Sequence, residues 1–158
     1  PIIERARALV FAGVREGGPS LHIADSVEGL RVAADPDRLL QVLVNLLQNA
    51  VDANREAGGT GVWLSATRSG STIEIGVQDE GPGLHPDIEG RLFEPFATTK
   101  PPGEGTGLGL YASYMLIQTM GGELSIENGS PGGAFARVKL PAGAETLANA
   151  PGVQHRAH

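Results

Sequence analysis

Within Thr72-Ile73-Glu74-Ile75-Gly76-Val77-Gln78-Asp79, a strand would place Asp79 on the face shared by Ile73, Ile75 and Val77. A carboxylate is thereby aimed where a core residue belongs. Left unsatisfied there it costs several kcal/mol, so the position suits an acid that accepts hydrogen bonds from a ligand. The residues that follow, Glu80-Gly81-Pro82-Gly83, supply two glycines that let backbone come close to a flat ligand. A strand end followed by a Gly-Pro-Gly turn uses the same residues, so the reading depends on what accompanies them.

Two other stretches carry chemistry. On a helix starting at Pro36, with about 100° per residue, Arg38, Gln41, Asn45, Asn49 and Asp52 fall on one narrow stripe opposite Leu39, Leu43, Leu46, Leu47, Ala50 and Val51. A solvated face normally collects Lys, Glu and Arg. Amides spaced by four residues can instead offer carbonyl oxygens to a cation or donors to a phosphate, although an ordinary polar face with chance amides has the same pattern. From Glu94 to Gly107 no period survives, and a loop of that length inside a compact domain is a functional lid or a disordered segment. Phe93 and Phe96 are placed to tuck its start into the core. Its end, Gly105-Thr106-Gly107-Leu108-Gly109-Leu110, runs directly into a helical pattern from Leu110 to Met120, and glycine-freed donors at a helix start make an anion site. No strand precedes these glycines, so they are not the dinucleotide fingerprint, and no P-loop sequence occurs.

The elements that must position these groups follow from the same sequence. Ile2, Ile3, Ala6, Leu9, Val10 and Val14 have helical spacing, ending at Gly17-Gly18. Leu21-His22-Ile23 and Leu30-Arg31-Val32-Ala33 read as two short strands, paired as a hairpin. Asp35-Pro36 caps a helix from Pro36 to near Glu56, stopped before Gly58-Gly59. Val62 to Thr67 turns through Ser69-Gly70-Ser71 into the strand that ends in Asp79, with Trp63 facing away from the core. His85-Pro86-Asp87-Ile88 begins a short helix running into Phe93. Leu124 to Glu127 and Ala134 to Leu140 close the fold as a hairpin. Strands and helices do not simply alternate, so the expected class is α+β, a two-layer sandwich with a mixed, mostly antiparallel sheet packed on about three helices. The domain is expected over 1–140, with 141–158 a flexible tail or linker.

The 158 residues suit one domain with a sizeable core. A net charge of -6, from 12 basic and 18 acidic residues, argues against a nucleic-acid surface or a polybasic membrane anchor. The absence of Cys excludes disulfides, thiolate metal sites and a cysteine nucleophile. Apolar runs stay far below the ~20 residues that span a bilayer, and no signal pattern opens the chain, so it is expected to be soluble and cytoplasmic. Its start at Pro1 suggests a domain cut from a longer protein.

An amide-rich helix, Asp-x-Gly-x-Gly, Phe-x-Pro-Phe and Gly-Thr-Gly-Leu-Gly-Leu follow one another in this order. Over about residues 2 to 140 the chain thereby resembles the ATP-binding catalytic domain of sensor histidine kinases, in the superfamily shared with gyrase, heat-shock chaperones and mismatch-repair ATPases. The resemblance implies ATP and Mg²⁺ as cofactors. It matches Asn45 and Asn49 to the asparagine box, Asn49 being the Mg²⁺ ligand, with Asp52 on the same stripe. Asp79, Gly81 and Gly83 match the glycine box around adenine. Phe93 and Phe96 match the phenylalanine box, and Gly105, Thr106, Gly107, Leu108 and Gly109 the second glycine box. The Thr98-Thr99-Lys100 run resembles the lid of nitrogen-regulation sensor kinases, where Lys100 is expected near the phosphates, giving Asn45, Asn49 and Lys100 as the catalytic set.

The chemistry of these residue types agrees with the match. An acid accepting from the exocyclic amine of adenine rejects guanine, whose oxygen would face it. Mg²⁺ takes few protein ligands and shares itself with substrate phosphates, and a closing lid excludes water.

ATP-hydrolysing relatives resemble one another in carrying a Glu base four residues before the metal-binding Asn. Here that position is Asn45, which cannot take up a proton. The expectation is slow hydrolysis and phosphoryl transfer to a histidine on a separate dimerisation and phosphoacceptor domain, with a response regulator downstream. None of His22, His85, His155 and His158 lies in the helical His-acid setting that the family phosphorylates. A self-contained ATPase and a degenerate nucleotide-binding module are the competing readings.

Overall fold

The computed structural model describes residues 2–14, 17–83, 108–129 and 132–147. Its longest helix, α2 (Pro36–Ala57), is bounded as its sequence dictates. Asp35 accepts from the N–H groups of Asp37 and Arg38 at 3.0 and 3.2 Å, Pro36 fills a first-turn position that needs no donor, and Gly58 closes the helix at φ +74°. Its apolar side, from Leu39 through Val51, is buried. Helix α1 (Ile2–Phe11) packs on α2 through Ile2, Ile3, Ala6 and Val10. It stops short of the expected Val14, because Ala12-Gly13 leads out of the helix and Gly is a poor helix former. Leu9, expected on its apolar face, points outward at 64% exposure.

Five strands form one sheet in the order β1-β3-β4-β6-β5, where β1 is Ser20–Ile23, β3 Gly61–Ser69, β4 Thr72–Gln78, β5 Glu123–Asn128 and β6 Ala134–Pro141. β3 and β4 are the expected hairpin across Gly70, and β5 and β6 are the second. One face, with Val62, Leu64, Ala66, Ile73, Ile75, Val77, Val138 and Leu140, is buried in the common core with the helices. Helix α3 (Leu108–Thr119) packs against α2 and β5. The result is the α+β two-layer sandwich, with three α-helices and a mixed sheet among the described residues. On the other face Trp63, 42% exposed, stacks on His22 at 5.2 Å, and the Arg137 guanidinium lies 5.2 Å from the Phe135 ring.

The expected hairpin between the two short N-terminal strands does not form. β1 pairs in parallel with β3, from Ser20↔Gly61 to Ile23↔Leu64, and Ala24 continues that ladder by donating to the Leu64 carbonyl. A 3-10 turn at Asp25–Val27 then carries the chain off the sheet, and β2 (Arg31–Val32) pairs with β7 (Glu145–Thr146). Isolated hairpins of two such short strands are marginal, and each strand finds a partner fixed by the rest of the fold.

The same pairing brings the segment after Pro141 into the structure. Ala142 bridges to Val32, and Leu147 is fully buried. The Leu147 N–H donates to Leu30, and its carbonyl accepts from the Ile3 N–H, one of the donors that the first turn of α1 cannot satisfy internally. The packed chain thus extends to Leu147, beyond the boundary expected at residue 140; 148–158 lie outside the described residues.

Candidate functional site

Asp79 sits one residue past β4 and is 7% exposed, on the face its alternation predicted. Its backbone N–H donates to the Ala134 carbonyl at 3.1 Å, continuing the β4–β6 ladder by one residue. Its Oδ1 accepts two backbone hydrogen bonds, from Gly81 at 2.9 Å and Ala134 at 3.0 Å. Oδ2 accepts none from the described residues, and no Lys or Arg among them pairs with the acid. Burial pushes the carboxyl above its usual 3.8, while the Gly81 and Ala134 N–H groups pull it back in part. An acid held by one oxygen, with the other unused, can accept a further hydrogen bond from a ligand N–H.

The turn after Asp79 is fixed from two sides. A side chain at Gly81 would lie 2.6 Å from the Ala53 Cβ, so only glycine allows the turn to pass this close to α2. From the other side, Gly133, at φ +72°, brings the start of β6 against the Asp79 carbonyl, where any Cβ would collide. Gln78 Nε2 ties the two together by donating to the carbonyls of Asp79 and Gly132 at 2.7 and 2.9 Å. Gly83, at φ +83°, is backed by Asn128, whose Oδ1 would be 2.7 Å from a Cβ there.

Helix α2 carries the amides. Asn49 is half-buried and makes no side-chain hydrogen bond among the described residues, which leaves its carbonyl oxygen available to a cation. Asn45, part of the amide stripe opposite the apolar face, is half-buried and donates through Nδ2 to Ser113 Oγ at 3.2 Å. Ser113 is fully buried on α3, the helix that follows the second glycine run. Asp52 is engaged by its own helix, accepting from Gln48 at 3.0 Å and lying 3.8 Å from Arg55.

Asn54 and Ser113 were not legible as site residues. Asn54 is fully buried and joins Gly61 to Glu80, yet an Asn in the last turn of a helix gives no local signal. Ser113 sits in an apolar run whose only polar marker is the hydroxyl itself. Gly132-Gly133, in the connection between β5 and β6, is a sequence signal for the close approach of that segment to Asp79. Phe93, Phe96, Thr98, Thr99, Lys100, Gly105, Thr106 and Gly107, with the helix expected from His85 to Phe93, lie outside the described residues. Leu108 and Gly109 open α3, as the run into a helix predicted.

Residues 34–144 match the family described as histidine kinase-, DNA gyrase B- and HSP90-like ATPase. Among curated relatives, the two-component sensor PprA of Pseudomonas aeruginosa is 38% identical over 143 residues, 87% of this chain and 15% of that protein. The sensor protein FixL of Bradyrhizobium diazoefficiens is 37% identical over 145 residues, 91% of this chain and 28% of that protein. The chain therefore spans less than a third of the length of either. Among solved structures, the catalytic domain of the histidine kinase ThkA superposes with a TM-score of 0.75 at 29% identity, covering 89% of this chain and 90% of that one. The mycobacterial sensor histidine kinase MprB superposes at 0.73 and 25%, covering 89% and 92%. Fold, motif order and these likenesses agree: the chain belongs to the histidine kinase-, DNA gyrase B- and HSP90-like ATPase family, as the ATP-binding domain of a two-component sensor histidine kinase.

Proposed function

We propose that this domain binds Mg-ATP and delivers its γ-phosphoryl group to a histidine on a separate dimerisation and phosphoacceptor domain of the same protein. The observation that carries the reading is Asp79: a buried acid, anchored by two backbone donors through one oxygen and left unpaired at the other among the described residues. That oxygen suits the exocyclic amine of adenine and opposes the oxygen guanine would present. The solved full-length ShkA, 29% identical with a TM-score of 0.75 over 92% of this chain and 30% of that one, is in complex with AMPPNP.

Bound Mg-ATP supplies the electrophilic phosphorus and the leaving ADP. Asn49 would hold the metal through its amide oxygen, with phosphates and water completing the shell; no cluster of three His, Cys, Asp or Glu residues competes for that task among the described residues. Asp52 borders that end, and Gly81 and Gly83 let the turn lie along the base. By the motif match alone, Phe96, Thr98, Thr99 and Lys100 are assigned to nucleotide contact, with Lys100 neutralising phosphate charge, and Gly105, Thr106, Gly107, Leu108 and Gly109 to phosphate binding through backbone donors.

Asn45 decides the reaction type. Its amide is bonded to Ser113 and cannot take a proton from water, so hydrolysis is slow and the nucleophile is an imidazole brought from outside. His22, the one histidine among the described residues, lies on the outer sheet face against Trp63. Isolated, the domain is inactive in phosphotransfer. It acts in the cytoplasm, passing its phosphoryl group indirectly to a response regulator, with no nucleic-acid or membrane contact; among the described residues no helix is long and apolar enough to cross a membrane.

Calorimetric titration with ATP and Mg²⁺, followed by label transfer from γ-labelled ATP to an added phosphoacceptor domain, tests the reading. Metal-dependent binding with transfer is expected. Binding without transfer would make it a nucleotide-binding module, sustained turnover without acceptor would make it an ATPase, and no binding ends the proposal.

A further inference from the structure

The β3–β4 ladder pairs Ser69 with Thr72 at the turn and Trp63 with Gln78 at the far end. One residue further on each strand, the register sets Val62 opposite Asp79, and the next step sets Gly61 opposite Glu80. In a hairpin with a two-residue turn the closing pair is hydrogen-bonded and bonded pairs then alternate. Gly61 and Glu80 would therefore be the next bonded pair, with the Glu80 N–H donating directly to the Gly61 carbonyl. Instead, the side chain of Asn54 stands between them. Its Oδ1 accepts from Glu80 N at 2.7 Å and its Nδ2 donates to Gly61 O at 2.8 Å.

A carboxamide has the donor and acceptor of a peptide group, so it fits the ladder as an inserted rung and holds the strands apart there. The rung is wholly buried. It is also packed in place: a Cβ at Gly59 would lie 2.6 Å from Asn54 Oδ1 and 2.8 Å from the Glu80 Cβ. The Glu80 side chain returns to the same loop, accepting from Thr60 N and Oγ1 at 3.0 and 3.2 Å. The spreading begins at the residue where β4 ends and Asp79 leaves the strand.

We propose that Asn54 is a positioning residue for adenine recognition, a wedge that turns the chain at Asp79 and sets the distance between its free oxygen and Asn49 on the same helix. This rests on the nucleotide reading above. It makes the end of α2 a specificity determinant that never touches the base, since the wedge decides where Oδ2 points.

Two variants of the full chain test it by calorimetric titration with ADP and GDP, at a temperature where circular dichroism reports folded protein. Asn54→Asp keeps the acceptor for Glu80 but replaces the donor to Gly61 with an oxygen that repels it. Gly59→Ala presses on the wedge from outside with every polar group kept. Both are expected to weaken ADP binding about tenfold and to narrow the preference for ADP over GDP. A purely structural role would lower the melting temperature and leave that preference at its wild-type value, overturning the proposal. Unmutated protein that fails to bind ADP overturns the nucleotide reading itself. Should neither variant fold, amide exchange in wild type decides: the Glu80 N–H is expected to exchange as slowly as β4 amides and to slow further with ADP, and fast exchange sinks the wedge.

Discussion

The middle of α2 and its last turn carry the same side chain in opposite conditions. Asn54 is wholly buried with both ends of its amide bonded, whereas Asn49, on the same helix, is half-buried with no side-chain hydrogen bond among the described residues. A saturated amide fixes backbone and has nothing left for a ligand. An unsaturated one keeps a carbonyl oxygen in reserve, at the expense of a poorly satisfied polar group near the core. Asp79 shows the same division within one carboxylate, Oδ1 serving the fold and Oδ2 accepting no hydrogen bond among the described residues. Residue type alone does not separate anchor from ligand; the state of each polar atom does.

The sharpest way to break this contrast is Asp79→Asn. The Gly81 and Ala134 N–H groups would keep the amide oxygen, forcing its nitrogen toward the ligand side, donor against donor. ATP affinity is expected to fall about 100-fold with stability unchanged or raised, since a buried charge is removed; titration and melting of the same sample check both. Next come the two asparagines compared by urea denaturation. Asn54→Ala strands two buried groups and should cost about 2–3 kcal/mol, while Asn49→Ala should cost under about 0.5 kcal/mol. Equal losses would erase the distinction. Asn49→Ala should instead remove about tenfold of the Mg²⁺ enhancement of ATP binding while metal-free binding is kept; an unchanged metal response would move the ligand elsewhere.

Ser113→Ala probes a smaller effect. It frees the Asn45 amide from α3 and should cost about 1 kcal/mol of stability, with a few-fold change in phosphotransfer and none in ADP affinity. The smallest effect is on pH. Because the folded Asp79 pKa lies above its usual 3.8, folding favours the protonated acid: its contribution to stability is complete below pH 3.8 and is lost as pH rises through the folded value. On the proposed reading, adenine binding needs the ionised form and runs the other way, weakening as pH falls toward that value. ADP titrations over a descending pH series should show this in wild type and a flat profile in Asp79→Asn.

What the sequence disclosed was what local chemistry encodes. Asp35-Pro36 and Gly58 bound α2, Gly70 turns β3 into β4, and period two aims Asp79 inward. What it concealed depends on contacts distant along the chain. Ser20 to Ile23 hold no clue that their neighbour is β3 rather than β2, and Leu147 looked like an isolated apolar residue until its pairing with Leu30 and Ile3 was visible. Asn45 was placed on a polar stripe because helical periodicity cannot show that α3 covers it. Asn54 gave no sign because its partners are two backbone groups, which carry no residue identity.

The bond from Ile3 to the Leu147 carbonyl brings the beginning and end of the described fold to a single spot. A body gripped at two opposite corners cannot turn without straining its mounts, whereas one suspended from a common hook can swing as a whole while its interior stays rigid. Any polypeptide joined ahead of α1 would leave the fold beside the residues that follow Leu147, so the two connections would share that hook.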